Sequence, residues 1–275
     1  MPRFAANLQW LFTEHAFLDR FAAARAAGFR AVEFPAPYEH PAEALAERLR
    51  ANGLQCILFN LPSGNKDRGD FGIACRPGRE GEFRDGVARA IEYARALGCK
   101  RINCVSGKAA AGEDRAALEA ILVANVRFAA DALDKAGIEL AVEPINDIDI
   151  PGFLMPTSAH AARVIRETGS RNVGLQCDIY HTAMMGDDPA AILRSHFAMI
   201  RHVQFADAPG RGEPGTGRIG LAPLFALLDE LGYQGWISAE YRPSRRTEET
   251  LSWLSAHVVP AQAGTQLMGL PPTRG

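Results

Sequence analysis

Four polar residues close consecutive apolar runs in the second half of the chain: Glu143 ends IELAVE, Asp178 follows VGLQC, Gln204 sits in HVQF, and Glu240 ends WISAE. Any one of them is unremarkable, because a polar residue commonly marks the place where a strand leaves for a loop. Gathered at one point, three carboxylates would repel one another and take up protons unless a cation held them. All four residues offer oxygen. That set suits a hard divalent ion such as Mg2+ or Mn2+, completed by water or substrate oxygens, and disfavours a structural zinc. The competing reading is a ring of strand-end carboxylates, each paired with one of the chain's many arginines.

What would position these groups is a repeated grammar. An alanine-rich amphipathic stretch ends in Gly and a short β-rich run follows, as in AARAAGFRAVEF, ERLRANGLQCILFN, YARALGCKRINCV, LDKAGIELAVE and LDELGYQGWISAE. Gly28, Gly53, Gly98, Gly137 and Gly232 stand where helices close with a left-handed cap. The pattern predicts strands at 4–8, 31–34, 55–60, 101–105, 139–143, 173–177, 202–205 and 236–240. Helices are predicted at 17–27, 42–51, 82–97, 115–135, 158–167, 189–197, 221–231 and 248–254. Eight strands alternating with helices over about 250 residues match an α/β fold, a single (β/α)8 TIM barrel. Barrel catalysis uses the C-terminal ends of strands, and successive strands are neighbours, so the four polar ends would converge at one side of the mouth. The Gly- and charge-rich segment 61–79 reads as an extended loop over that mouth.

The barrel is expected to occupy 1–254, and the segment 255–275, which lacks helical periodicity and ends in Gly and Pro, is expected to be disordered. Among 275 residues, 30 Lys and Arg against 32 Asp and Glu give a formal charge of -2. No general positive field exists for nucleic acid or an anionic membrane surface. No run approaches the roughly 20 apolar residues a bilayer crossing needs, and the N-terminal stretch lacks a signal-peptide cleavage pattern. Cys56, Cys75, Cys99, Cys104 and Cys177 form no CxxC pair and read as buried thiols of a cytoplasmic protein.

With these motifs in place, the sequence resembles the hydroxypyruvate isomerase family of xylose-isomerase-like barrels over about residues 1–254. The stretches that carry the resemblance are RFAANL, GFRAVEF with the following PY, NLPSG, PGREGEFRDGVARAIEYARALG, INCVSGK, VEPINDIDIPGF, QCDIYH, GEPGTG and GWISAEYRP. The resemblance implies that Glu143, Asp178, Gln204 and Glu240 bind one divalent metal, and that Glu143 and Glu240 are the proton donor and acceptor. It also implies that His181 in DIYH contacts substrate oxygens, the competing reading being a helix-start histidine satisfied by backbone. A substrate carboxylate needs a positive partner; the candidates are Lys108 in SGK and Arg211 and Arg218 around GRGEPGTGRIG, a loop after the seventh strand where barrels often hold anions. The chain departs from the family pattern at Arg218, Ile219, Gly220, Leu221 and Arg242, around the outer substrate contacts.

The expected reaction interconverts hydroxypyruvate and tartronate semialdehyde through an enediolate, with Glu240 taken as the base. The same machinery would serve a 2-oxo-tetronate, another ketose isomerisation or an epimerisation. A metal-dependent apurinic endonuclease shares the superfamily barrel, but its trinuclear zinc site wants more histidines than His181 and His202. A catalytically idle binding barrel is the third class. The expected partner is a small hydroxy-keto acid, with no nucleic acid and no membrane; homo-oligomerisation is left open.

Overall fold

The grammar of Gly-closed helices and apolar runs resolves into eight strands: β1 (Arg3–Asn7), β2 (Ala31–Glu33), β3 (Gln55–Asn60), β4 (Arg101–Cys104), β5 (Glu139–Val142), β6 (Val173–Asp178), β7 (Ile200–Phe205) and β8 (Trp236–Ala239). A computed structural model describes residues 2–257 and closes these strands, in chain order, into a barrel. Neighbours run parallel, and closure is made by β1 on β8, with Arg3 opposite Trp236 and Ala6 opposite Ala239.

Around the barrel run α1 (Arg20–Ala26), α2 (Ala42–Asn52), α3 (Glu80–Leu97), α4 (Arg115–Asp134), α5 (Ser158–Thr168), α6 (Ile179–Met184), α7 (Pro189–His196), α8 (Leu221–Glu230) and α9 (Ser252–His257). The long helices form because one stripe is apolar: in α3 the buried residues are Phe83, Val87, Ala90, Ala94 and Leu97, spaced three and four apart. Side chains start and glycines stop them. The Asp114 carboxylate accepts from the amides of Ala116 and Ala117 at the head of α4. Gly53 ends α2 at φ +58, a conformation in which a Cβ would be strained.

Helix–sheet packing supplies most of the core. Phe4 of β1 and Phe205 of β7 face outward into an aromatic cluster with Phe225 and Trp253, whose edge-to-face centroid separations are 4.9–5.2 Å. A smaller cluster of Ala5, Ala31, Ile57 and Leu58 forms apart from it, with Trp236 packed against it. All five cysteines are buried and unpaired. No helix among the described residues is long and apolar enough to cross a membrane.

The predicted elements match closely, with two differences. Helix α6 was not anticipated: it starts directly after the last residue of β6, with no intervening loop to announce it. The segment predicted as a helix at 248–254 is a 3-10 turn, Thr247–Thr250, followed by α9. Tertiary bonds override the local pattern there, because the Thr247 hydroxyl accepts from the amide of Phe12 at 2.7 Å and its amide donates to Glu14 at 2.8 Å. Helix α9 runs to His257, past the boundary expected at 254; the rest of the expected tail, 258–275, lies outside the described residues.

The loop at 61–79 lies against the loop after β4. A Cβ on Gly72, at φ +89, would sit 2.4 Å from the Val105 carbonyl oxygen, so only glycine permits this approach.

Candidate active site

Strand register decides which side chains share the mouth. Asp178, the last residue of β6, lies opposite Gln204 of β7, and Gln204 lies opposite Ser238 of β8. Glu143 follows β5 directly and Glu240 follows β8 directly. In an eight-strand ring β5 and β8 are three strands apart, so the two glutamates approach from widely separated sides.

Each glutamate has one oxygen fixed by a neutral donor. Asn103 Nδ2 donates to Glu143 Oε2 at 2.9 Å, and Trp10 Nε1 donates to Glu240 Oε1 at 3.0 Å. The remaining oxygens face the shared space. Glu143 Oε1 lies 4.0 Å from His181 Nε2, and Glu240 Oε2 is buried and ion-paired to Arg211. Asp178 uses Oδ1 to cap α6 through the amide of Tyr180 at 2.8 Å, which leaves Oδ2 turned toward His181 Nε2 at 3.5 Å. One residue thus ends a strand, starts a helix and presents a carboxylate oxygen.

His181 is oriented by a side chain, not by backbone alone. Asn146 Oδ1 accepts from the amide of Asp149 at 2.8 Å, which turns Asn146 Nδ2 toward His181 Nδ1 at 2.6 Å. The backbone amide of Asn146 approaches the same ring nitrogen at 3.5 Å. With two donors on Nδ1, that nitrogen is the acceptor and Nε2 carries the proton, so Arg211 Nη1, 3.4 Å from Nε2, touches it without a hydrogen bond. Burial, helped by the nearby Arg211 charge, holds the ring well below its usual pKa, so it stays neutral. A neutral ring with Nε2–H is a donor to an oxygen, which fits a substrate contact better than a metal ligand.

Arg211 supplies the cation among these acids. Its Nη2 lies 3.0 Å from Glu240 Oε2 and 3.3 Å from Asp178 Oδ2, and its guanidinium stacks over Trp10 and Tyr180 at 4.6 and 5.0 Å. Burial opposes its charge, but Glu240, Asp178 and Glu143 outweigh that and stabilise it. Its loop is gathered around the buried carboxylate of Asp207, which accepts from the amides of Ala208, Gly215 and Ile219 at 2.9–3.1 Å. Lys108 sits in the loop after β4, bridged to Phe153, and its carbonyl accepts from Arg76. The other flanking arginine, Arg218, donates its amide to the Ala208 carbonyl at 2.7 Å.

Gln204 is held differently from the three acids. Its Nε2 donates to Glu33 Oε1 at 2.6 Å and its Oε1 accepts from Gln176 Nε2 at 2.5 Å. Glu33, at the end of β2, also takes Asn7 Nδ2 at 2.8 Å and His202 Nε2 at 2.6 Å. Burial works against the Glu33 charge, yet His202, Gln204 and Asn7 together hold its pKa below the usual value.

The cluster carries the electrostatic strain that the sequence implied. Glu143 is pushed well above the ordinary carboxylate range by burial, then by Glu240 and Asp178. Asp178 is raised chiefly by burial, although Arg211 opposes it. Glu240 is pushed up to about 8 by burial, with Asp178 and Glu33 adding to it and Arg211 and Trp10 opposing.

A pH dependence follows. Glu240 titrates near 4.5 when unfolded and about 8 in the fold, so its contribution to stability is complete below about pH 4.5 and is lost as pH rises toward 8. Metal-free protein should therefore melt at a lower temperature at about pH 8.5 than at about pH 5.5, by an amount on the order of a few kcal/mol in stability. Glu240→Gln should flatten that slope in thermal melts; an unchanged slope would show that Glu240 is not the titrating group.

The donor set fits a hard divalent cation. A carboxylate oxygen of Glu143 and one of Asp178 lie within 4.8 Å of each other, beside the His181 ring. Glu240 Oε2, buried and neutralised only by the Arg211 ion pair at 3.0 Å, adds a further oxygen to this space. The residues that sequence reasoning passed over are Trp10, Asn103, Asn146, Gln176 and Glu33, each of which orients a group it did identify.

The family described as the xylose isomerase-like TIM barrel matches residues 21–257. The hydroxypyruvate isomerase of Escherichia coli (strain K12) is 47% identical over 257 residues, covering 94% of this chain and all of that one. The 2-oxo-tetronate isomerase of Cupriavidus necator is 45% identical over 258 residues, covering 94% and 99%. A crystal structure from Brucella melitensis, described as an AP endonuclease of family 2, superposes with a TM-score of 0.91 at 40% identity, covering 94% of this chain and 99% of that one.

Proposed function

Because the chain belongs to the hydroxypyruvate isomerase family of xylose isomerase-like TIM barrels, we propose that it interconverts hydroxypyruvate and tartronate semialdehyde by proton transfer between neighbouring carbons. The observation that carries this reading is the pair of raised carboxyls, Glu143 and Glu240, each pinned through one oxygen and facing the same space with the other.

The reaction moves a proton from C3 of hydroxypyruvate to C2 and shifts a hydroxyl proton from the C3 oxygen to the C2 oxygen. An enediolate lies between. A carboxylate in water is too weak a base for such a carbon acid, and burial answers part of that deficit by raising Glu240 toward neutrality, where a general base works best. Glu240 takes the C3 proton on Oε2, the oxygen that Trp10 leaves unbonded. Glu143, its proton favoured by burial and by the neighbouring Glu240 and Asp178 charges, delivers a proton to C2 from across the mouth. His181 Nε2–H donates to a substrate oxygen. Arg211 is the buried positive partner for the substrate carboxylate, with Lys108 at the loop edge. Glu143, Asp178, Gln204 and Glu240 would hold one divalent ion, Mg2+ or Mn2+. Once bound, such an ion supplies Lewis-acid stabilisation of the charge that develops on the two substrate oxygens.

The apurinic endonuclease reading has less support here, since the site's two histidines are engaged otherwise: His181 by Asn146 and His202 by Glu33. A 2-oxo-tetronate, which keeps the hydroxy-keto acid head and adds one carbon, remains the nearest alternative substrate. Purified protein loaded with Mn2+ should turn over hydroxypyruvate faster than 2-oxo-tetronates and leave abasic DNA uncut. A higher kcat/KM for a tetronate would move the assignment to that substrate, and cleavage of the DNA would overturn the isomerase reading.

A further inference from the structure

We infer that Glu33 is a positioning residue that fixes the side-chain amide of Gln204 with its oxygen, and not its nitrogen, turned toward the acid cluster. This rests on the reading of Gln204 as one of the ligands of a divalent ion. A glutamine can ligate a hard cation only through Oε1, and its two amide ends are nearly the same size, so packing alone does not choose between them. Hydrogen bonding does. An ionised carboxylate only accepts, and Glu33 is buried with three donors converging on it: Asn7 Nδ2 at 2.8 Å, His202 Nε2 at 2.6 Å and Gln204 Nε2 at 2.6 Å. The Asn7 amide is itself fixed, because its Oδ1 accepts from the amide of Gln9 at 2.9 Å.

The order then passes upward. With Nε2 committed to Glu33, Gln204 Oε1 accepts from Gln176 Nε2 at 2.5 Å, and the Gln176 side chain lies near enough to Glu143 to oppose the rise of its pKa. The direction of this pair of glutamines is set at the Glu33 end, where the carboxylate accepts from Gln204 Nε2. Reversing Gln204 would place its NH2 against the NH2 of Gln176 and its oxygen against the Glu33 carboxylate. Partners behind a ligand that orient it commonly govern affinity by one to two orders of magnitude.

The test is calorimetric titration of metal-free protein with Mn2+, which needs no substrate. Glu33→Ala should lower Mn2+ affinity by about 10–100-fold. Adding Gln204→Glu should restore it to within about threefold of wild type, because a carboxylate at 204 has two equivalent oxygens and needs no orienting partner. A role in stability alone would not be rescued this way. Should Glu33→Ala fail to fold, Glu33→Asp carries the same expectation, since the shorter side chain withdraws from Gln204 while keeping its charge. Unchanged affinity in the folded Glu33 variant, or a double variant no tighter than the single one, overturns the inference. Wild-type protein that takes up no Mn2+ overturns the metal reading and this inference with it, whereas normal uptake by wild type and variant alike overturns the inference alone.

Discussion

Replacing Glu240 by Gln is expected to lower kcat by about 10^3-fold at saturating Mn2+, with the fold intact, since the loss of a positioned general base typically costs two to four orders of magnitude. The amide keeps the shape of the carboxyl and can still accept from Trp10 Nε1 through its oxygen, so the packing at the end of β8 survives. What disappears is the proton-accepting Oε2, the atom that burial and neighbouring acids have made unusually basic. The change should fall mainly on kcat rather than KM, because the interaction removed is one made in the transition state. Solvent deuterium exchange at the substrate carbon, followed by NMR, should fall in parallel. Unchanged exchange in the variant would remove Glu240 from the mechanism.

Stripping divalent ions with a chelator is expected to abolish turnover, and Mg2+ or Mn2+ should restore it while a monovalent salt should not. The cause is electrostatic. Three buried carboxyls share one space with a single guanidinium, and all three are raised from their usual values. A divalent ion would convert that strain into binding and would lower the same pKa values, so uptake should release protons. At about 100 times its Kd the ion should stabilise the fold by about 2.7 kcal/mol. The gain should be larger near pH 8 than near pH 5.5 at a given total ion concentration, because ions compete with protons for these groups. Full activity after exhaustive chelation would contradict the proposed role of the ion.

How much of this was legible in the sequence depends on which signal each residue carried. The barrel was readable because helices closed by glycine and followed by apolar runs are a local pattern, and Gly53 and Gly98 do end their helices at φ +58 and +65. Glu143, Asp178, Gln204 and Glu240 were readable as polar strand ends, and the register does bring β5 to β8 side by side. The same rule applied to the other half of the barrel would have found Asn7, Glu33 and Asn60 at the ends of β1 to β3, and Asn103 one residue before the end of β4, which hydrogen-bond to one another or to the acids. Trp10 and Asn146 lie in loops, and no spacing in the sequence says which carboxylate or imidazole a loop residue will meet. Arg211 was named for its loop, but its burial between Asp178 and Glu240 comes from the three amides folded onto Asp207, a long-range arrangement without a sequence period. Helix α6 escaped because six residues give too little periodicity to detect, and its cap is a residue already counted as a strand end.

The most direct test of the central claim follows hydroxypyruvate by NMR in D2O with metal-stripped and Mg2+-restored protein side by side. Tartronate semialdehyde, with deuterium at C2, is expected only in the restored sample. Metal-loaded protein that turns over no hydroxy-keto acid, or stripped protein that performs equally well, would contradict that claim.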